Sequence, residues 1–582
     1  MEKRWLLKKQ GSKQDNEKLA NELNIEPILA NLLTQRGVKT FDQAKAFFRP
    51  ELGDLHDPFL MKDMDLAVVR IREAIIRGEN ILVYGDYDVD GTTSVALMYS
   101  FLKEFYDNVG YYVPDRYSEG YGVSFQGVDY AHKNSYSLVI ALDCGIKAND
   151  KIDYAKENGI DFIVCDHHFP GAEIPDAVAV LDPKRPDCNY PFADLSGCGV
   201  GFKLIQAYAQ KNDIDFERLI PYLDLVVVSI ASDIVSIVDE NRILSHYGLI
   251  QLNKDPREGL KSIISLAGLT EKDIAVEDIV FKIGPRINAA GRMESADKAV
   301  ELLLADNERS AKIAANSVNF FNDARKNIDR TITQDALSVL ADEKELSNRK
   351  STVLYNSKWH KGVVGIVASR LIETHYRPTI VLTASNGVAT GSARSVVGFD
   401  IYQAIEACSD LLENFGGHMY AAGLTLKIEK VPEFIERFEK IVCETIKDEQ
   451  LIPQVEIDGR LDLNQVNAKF YRILKQFRPF GPGNMAPVFV AKNVADNGEG
   501  RIVGLTKEHL KLSLIQETDP FNNYSAIAFQ QANLFEYINS GDFFDICFSI
   551  DENNYRGIKN LQLNIKDIKV NGTVEEVEKS RI

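Results

Sequence analysis

No apolar run in this 582-residue chain approaches the ~20 residues that a membrane-crossing helix needs. The opening M-E-K-R-W-L-L-K-K sets charge on both sides of a very short apolar patch, which is not the pattern of a signal peptide. Cysteine is scarce: seven residues, an odd number, scattered and without C-x-x-C spacing. That argues against a disulfide framework and a structural zinc site, and for a reduced, cytoplasmic setting with no membrane partner. Internal repeats and low-complexity stretches are missing too. Basic charge is in deficit, with 67 Lys and Arg against 85 Asp and Glu and a net charge of −18. A nucleic-acid binder is expected to be basic. Whole-chain charge, however, does not describe a local groove, and acidic metal ligands count as negative until cations neutralise them. What remains, 45% apolar and 26% charged, is an ordinary soluble globular composition, long enough for several domains.

The most informative stretch is I-L-V-Y-G-D-Y-D-V-D-G-T-T, residues 81–93. An apolar run enters three aspartates at alternate positions, Asp86, Asp88 and Asp90, and Gly91 opens a helical pattern. This reads as a buried strand of an α/β domain running into its loop. Ligands of open α/β sheets sit at the carboxyl ends of strands. Three carboxylates crowded there call for a hard divalent cation such as Mg²⁺ or Mn²⁺. The arrangement recurs. S-L-V-I-A-L-D-C-G delivers Asp143, and I-D-F-I-V-C-D-H-H delivers Asp166, His167 and His168. V-V-V-S-I-A-S-D-I-V delivers Asp233, from a strand or a helix. A single such Asp is often only a helix N-cap; alternating βα patterns bring the whole set to one sheet edge. Cys144 and Cys165 abut these motifs and read as small apolar packing groups rather than nucleophiles. Flanking helices are expected at 65–77 and 92–104, with a short strand at 110–113. Arg116, in the loop after that strand, is either a surface charge or a phosphate contact.

The order D-x-D-x-D-G, D-C-G, D-H-H and a late Asp resembles the DHH phosphoesterase superfamily. Residue by residue, the resemblance implies Asp88, Asp90, Asp143, His167 and Asp233 as ligands of two ions, Mn²⁺ or Mg²⁺, with Asp143 bridging. Asp86, Asp166 and His168 stand in the first or second shell of those ions, and Asp86 is counted with the ligands. Tyr84 stands where several members carry a ligating histidine, so either Tyr84 or Asp86 completes the first ion. Two metals can activate water and hold a scissile phosphate, and a neutral imidazole suits Mn²⁺ better than Mg²⁺. His168 either hydrogen-bonds the phosphate or leaving oxygen, or orients its neighbours.

Residues 1–60 read as an N-terminal helical arm, and 61–305 as the catalytic domain. F-K-I-G-P-R-I-N-A-A-G-R-M, residues 281–293, breaks at Gly284-Pro285 and carries Arg286, Asn288 and Arg292. Its arginines suit phosphate oxygens or pair with the domain's own acids. With the lead-in D-P-F-L-M-K-D-M-D, it resembles the single-stranded-DNA exonucleases of that superfamily. A connecting helix is expected over 306–349. Residues 350–450 carry a G-S-A-R-S loop and a second glycine loop, F-G-G-H-M-Y-A-A-G. Together they resemble the DHH-associated α/β domain, which implies that Ser392, Arg394 and His418 face the substrate with His360 near them. Arg116 and Arg286 are expected opposite. Short strands spaced by turns over 453–575 suggest a small barrel, by resemblance an OB-fold, with aromatics that either stack on bases or fill the core.

The fold class is therefore α/β: a DHH domain with a parallel sheet, a long helix, a DHH-associated domain and an OB-fold β-barrel. The resemblance implies a 5′→3′ exonuclease that takes single-stranded DNA with a 5′ end and releases 5′-mononucleotides, in repair and recombination. A helicase upstream, a single-stranded-DNA-binding protein as partner and a monomeric state come with it. The alternative is a phosphodiesterase for short oligonucleotides or cyclic dinucleotides, which would need neither the barrel nor residues 281–293. A metal-dead scaffold in a replication complex would show eroded ligands, and every strong motif position here is filled.

Overall fold

A computed structural model describes residues 2–342, 348–555, 558–569 and 574–576. The chain divides into two compact units, one of 49–327 with 479–485, the other of 1–48, 328–478 and 486–582. Among the described residues no helix is long and apolar enough to cross a membrane.

The first element is a strand, β1 (Arg4–Leu7), where sequence reading expects only helix. It lies between β12 (Gln454–Ile457) and β20 (Val574–Glu576), parallel to both. Helices α1 (Lys13–Leu23), α2 (Pro27–Gln35) and α3 (Phe41–Phe48) complete the arm. Periodicity within four residues cannot tell a strand from a helix; the pairing partners lie some 450 and 570 positions away.

The 49–327 unit is built on a five-stranded sheet. Helix α4 (Met64–Arg77) leads into β2 (Asn80–Gly85), then α5 (Val89–Lys103), β3 (Val109–Tyr112), α6 (Phe125–Lys133), β4 (Tyr136–Leu142), α7 (Asn149–Glu157), β5 (Asp161–Cys165) and β6 (Ala179–Leu181). All pairings are parallel and the order is β3-β2-β4-β5-β6. Alternate residues take opposite faces. Ile81, Val83, Ile140, Leu142 and Ile163 pack with α4 and α5, and with α8 (Gly197–Lys211) and α9 (Leu223–Ser232). Leu82, Val139, Ala141, Phe162 and Val164 pack with α6 and α7. Burial on both faces explains why these strands read as continuous apolar runs. The strand order reverses between β2 and β4, so their carboxyl ends flank a topological switch point.

Helices α10 (Asp239–Lys254), α11 (Glu258–Leu266) and α12 (Val276–Asp278) follow. A π-helical turn, Ile279–Ile283, then runs into α13 (Gly284–Met293). The 281–293 stretch is thus helical rather than a loop, with Pro285 taken up where the π-helical turn passes into the first turn of α13. After α14 (Asp297–Leu303), the 35-residue α15 (Glu308–Asp342) carries the chain from one unit into the other.

In the second unit a sheet ordered β10-β11-β9-β8-β7 is made of β7 (Thr352–Tyr355), β8 (Thr379–Ser385), β9 (Val388–Arg394), β10 (Leu412–His418) and β11 (Ala421–Lys427). The G-S-A-R segment is therefore strand β9, and the second glycine stretch is the β10–β11 hairpin. Both glycine-rich sequences were expected to be loops. In β9, the Cβ absent from Gly391 would lie 2.3 Å from the Val381 carbonyl oxygen, so glycine there serves close strand packing.

The C-terminal sheet runs β13 (Gly459–Arg460), β14 (Phe489–Asp496), β18 (Phe544–Tyr555), β19 (Ile558–Lys569), β17 (Asp519–Ala528), β16 (His509–Gln516) and β15 (Arg501–Val503). A further β14–β16 pairing closes five of these strands into a barrel of OB type. Phe489, Phe544 and Phe548 fill its core, while Phe521 and Phe529 are exposed.

Candidate metal centre and substrate-binding segments

Every acid placed at a strand end by sequence reading arrives at the carboxyl edge of the five-stranded sheet or beside it. Asp86 follows β2 and is fully buried, accepting the Gly122 amide at 3.1 Å on one oxygen; its other oxygen has no partner. Asp88 caps α5 by accepting from the Gly91 amide. Asp90 accepts from the Gly197 and Cys198 amides at 2.7 and 2.8 Å and from the Ser229 hydroxyl at 2.7 Å. The N-terminus of α8 thus holds one carboxylate in place, as helix N-termini do for anions. Asp143 follows β4 in a left-handed backbone conformation, φ 59°, which Asp tolerates better than most residues. Asp233 caps the C-terminus of α9, so the fourth acid comes from a helix.

His167 joins these groups. Its Nε2 lies 3.1 Å from Asp143, 3.6 Å from Asp233 and 3.7 Å from Asp90. Burial lowers its pKa to about 4, so the ring is neutral near pH 7 and its lone pair is available to a metal. Burial, then repulsion by their neighbours, pushes Asp86, Asp88, Asp143 and Asp233 up. For Asp88, Asp143 and Asp233 the leading neighbour is Asp90; for Asp86 it is Asp88. Five carboxylates that repel one another beside a neutral imidazole form a site short of positive charge. Asp90, His167 and Asp233, and likewise Asp143, His167 and His168, bring ligand atoms within 4.8 Å of one another. This donor set of oxygens and one nitrogen fits Mn²⁺ or Mg²⁺.

Asp166 has a different role. Burial favours its neutral form, but the His168 ring at 2.7 Å and the Ile146 amide outweigh this and hold it well below the usual carboxylate range. It also accepts the backbone amides of His167 and His168. Conversely, burial works against charge on His168, yet Asp166 pushes its pKa up to about 9. Tyr84 is not part of the site. Its hydroxyl donates to the Gly122 carbonyl and accepts from Ser124 among the residues packed on α6, which leaves Asp86 as the group facing the acids. Cys144 and Cys165 are buried, and burial pushes both thiols up, in keeping with packing roles.

Three contributors escape sequence reading. Asp182 ends β6 as a fourth acidic strand end; it is buried, one oxygen is unpartnered, and burial pushes it up to about 7. Its strand is three residues long, too short to read as an apolar run. Gly197 lies against Asp143, where an added Cβ would sit 2.5 Å from the Asp143 Cβ. Tyr121 bonds both the Asp143 carbonyl and His168. The E-G-Y-G spelling of its loop is the one signal that could have found it.

Arg116 stacks on Tyr87, 3.9 Å from the ring centroid, and donates to the Gly291 carbonyl at 3.1 Å. The Tyr117 hydroxyl donates to the Arg292 carbonyl. Helix α13 thereby packs against the Asp86–Asp90 loop, and a Cβ on Gly291 would meet the Tyr87 carbonyl oxygen at 2.6 Å. Arg286 donates to Asn319 and to the Lys282 carbonyl, neither of them an acid, and Asn288 keeps a buried, unpartnered oxygen. In the other unit, Arg394 donates to the Ser392 hydroxyl at 2.7 Å. Both approach the first turn of helix Val364–Thr374: a Cβ on Gly365 would meet Ser392 Oγ at 3.0 Å and Arg394 Nη2 at 3.1 Å. His360 accepts the Gly362 amide just before that turn. His418, Ala421 and Arg394 form one cross-strand row on β10, β11 and β9.

Three family descriptions match the chain: the DHH family N-terminal domain over residues 80–230, the DHHA1 domain over 348–444 and the RecJ OB domain over 457–567. The chain is 37% identical to the single-stranded-DNA-specific exonuclease RecJ of Bacillus subtilis, over 97% of this chain and 71% of that protein. It resembles the crystal structure of Thermus thermophilus RecJ in complex with Mn²⁺ with a TM-score of 0.85 and 26% identity, covering 98% of this chain and 80% of that one. For the same protein in complex with Mg²⁺, the TM-score is 0.78 at 24% identity, over 98% and 79%.

Proposed function

Because the chain belongs to the RecJ family of single-stranded-DNA-specific exonucleases, we propose that it digests single strands from the 5′ end and releases 5′-mononucleotides. It is a metal-dependent nuclease of DHH type. Asp88, Asp90, Asp143, His167 and Asp233, with Asp86 beside them, would hold two Mn²⁺ or Mg²⁺ ions. Such ions, when bound, supply positive charge to the scissile phosphate and make water a stronger nucleophile at neutral pH.

The chain's own groups do the rest. The α8 amides and Ser229 hold the Asp90 carboxylate in place. Asp166 holds His168 as a cation beside the acids, where its positive charge can act on the phosphate or the leaving oxygen. Arg116, fixed by Tyr87 and Gly291, adds a guanidinium on the same edge. In the other unit, Arg394, Ser392 and the first turn of the helix at Val364 offer donors of the kind that take a terminal phosphate, with His360 and His418 alongside. Arg286, Asn288 and Arg292 are assigned to the strand's backbone. A single-stranded-DNA-binding protein and a helicase as partners, a monomeric state and a cytoplasmic location come with this reading.

The observation that carries it is His167 Nε2 within 3.1–3.7 Å of three buried or half-buried carboxylates. The test is digestion of a long single strand labelled at one end, with Mn²⁺ or Mg²⁺, by wild type and Asp143→Ala. The 5′ label is expected to leave at once as mononucleotide while the 3′ label stays in long fragments, and the variant is expected to be inactive. A long strand left intact by wild type would sink the proposal. Mn²⁺ at about 100 times its Kd is expected to add about 2.7 kcal/mol of stability, seen as a rise in melting temperature that His167→Ala lacks.

A further inference from the structure

The loop of residues 114–123 reaches over two of the acidic strand ends at once. The Gly122 amide caps Asp86. The neighbouring Tyr121 hydroxyl lies 3.1 Å from the Asp143 carbonyl oxygen and 3.1 Å from His168 Nε2. The polarity of these bonds follows from chemistry. A carbonyl only accepts, so the hydroxyl donates to Asp143 and is left to accept from His168. On its other side, the His168 Nδ1 donates to the Asp166 carboxylate at 2.7 Å. One chain of hydrogen bonds therefore runs from Asp166 through both ring nitrogens of His168 and the Tyr121 hydroxyl to the main chain of Asp143. The Asp143 backbone is in the left-handed region, φ 59°, where an L side chain persists only if its surroundings hold it. Tyr121 is half-exposed, and its ring meets Tyr87 and His168 edge-on at 6.1 and 5.7 Å. A solvent-facing tyrosine with both hydroxyl valences used on groups of the site is placed to orient them rather than to fill a core.

We propose that Tyr121 is a positioning residue of the nuclease reaction: its hydroxyl ties the Asp143 strand end to the His168 ring, setting the aim of the Asp143 carboxylate and the orientation of the His168 imidazole. The assignment rests on the exonuclease reading above and adds to it a group that acts through His168 and Asp143, touching neither strand nor metal. Outer partners of this kind typically change activity by about 10- to 100-fold.

The test compares wild type, Tyr121→Phe, His168→Ala and the double variant, with enzyme in excess over an end-labelled single strand so that slow variants stay measurable. Tyr121→Phe keeps the ring and removes only the hydroxyl. It is expected to lower kcat about 10- to 100-fold, with little change in KM for the strand and no change in melting temperature. In the His168→Ala background the same substitution is expected to cost much less than it does alone, because the two groups act as a unit. Wild-type kcat in Tyr121→Phe, or losses that multiply fully in the double variant, would overturn the assignment. A rise in KM together with a loss of stability would make Tyr121 a merely structural residue and overturn it equally. Wild type that leaves the strand undigested removes the exonuclease reading itself, which keeps the two failures distinct.

Discussion

At the scale of single residues, geometry separates carboxylates that look alike in the sequence. Asp86, Asp143 and Asp166 each end an apolar run, yet only Asp166 is held ionised by its partners, while Asp86 and Asp143 are pushed up by burial and by the acids around them. Asp166 is built to hold a protonated histidine, the other two to receive a cation. Gly197 shows how close the supporting backbone comes. A methyl group there would meet the Asp143 Cα at 2.8 Å and its Cβ at 2.5 Å, atoms that cannot swing away as a flexible side-chain end could. Gly197→Ala is expected to destabilise the protein by about 1–3 kcal/mol, read from urea unfolding. By displacing Asp143 it is also expected to lower kcat about 100-fold, read from digestion of labelled single strands. A variant with wild-type activity would mean that the Asp143 end is softer than its packing indicates.

At the scale of elements, α8 carries two loads. Its first turn clamps Asp90, and further along the fully buried Lys203 donates to Glu240 of α10 at 2.9 Å and to the His56 carbonyl at 2.7 Å. Glu240 accepts in turn from Tyr190 and from the His56 amide. Burial lowers the Lys203 pKa, so the charge is held against its desolvation by these partners. Lys203→Met would leave Glu240 buried without its counter-charge and is expected to cost about 3–5 kcal/mol. Replacing both partners, Lys203→Met with Glu240→Leu, is expected to recover most of that loss. Equal urea midpoints for the single and double variants would show that the pair is not what couples α8 to α10. The helix formed by residues 284–293 follows the same logic. Its glycine at 291 lets α13 lie against the Asp86–Asp90 loop, a contact that depends on backbone proximity and leaves no trace in hydrophobic periodicity.

At the scale of the whole chain, residues near the N-terminus belong with the barrel. Trp5 is fully buried and donates through Nε1 to Asp567 at 2.7 Å, while β1 pairs with strands 450 and 570 residues downstream. Trp5→Ala is expected to cost about 3–5 kcal/mol, seen as a lower melting temperature for the unit that contains the barrel. A wild-type melt would show that this three-stranded sheet adds no stability. Contacts so distant in sequence carry a large closure entropy, and no local pattern announces them.

The sequence by itself determined the parallel sheet and most of the cluster of acids around His167. A strand buried on both faces must be apolar throughout, so an acid at its end stands out, and alternating βα units bring such ends to one edge. The order of the five strands, the bonds that set Asp166 against His168 and the helical origin of Asp233 were decided by the tertiary structure, and so were other features. Asp182 on its three-residue strand, Gly197 against Asp143, the Tyr121 hydroxyl between Asp143 and His168, and β1 between β12 and β20 all arise from close approach of segments far apart in the chain. Such approaches depend on distance and direction in three dimensions, which the spacing of residue types along a chain does not encode.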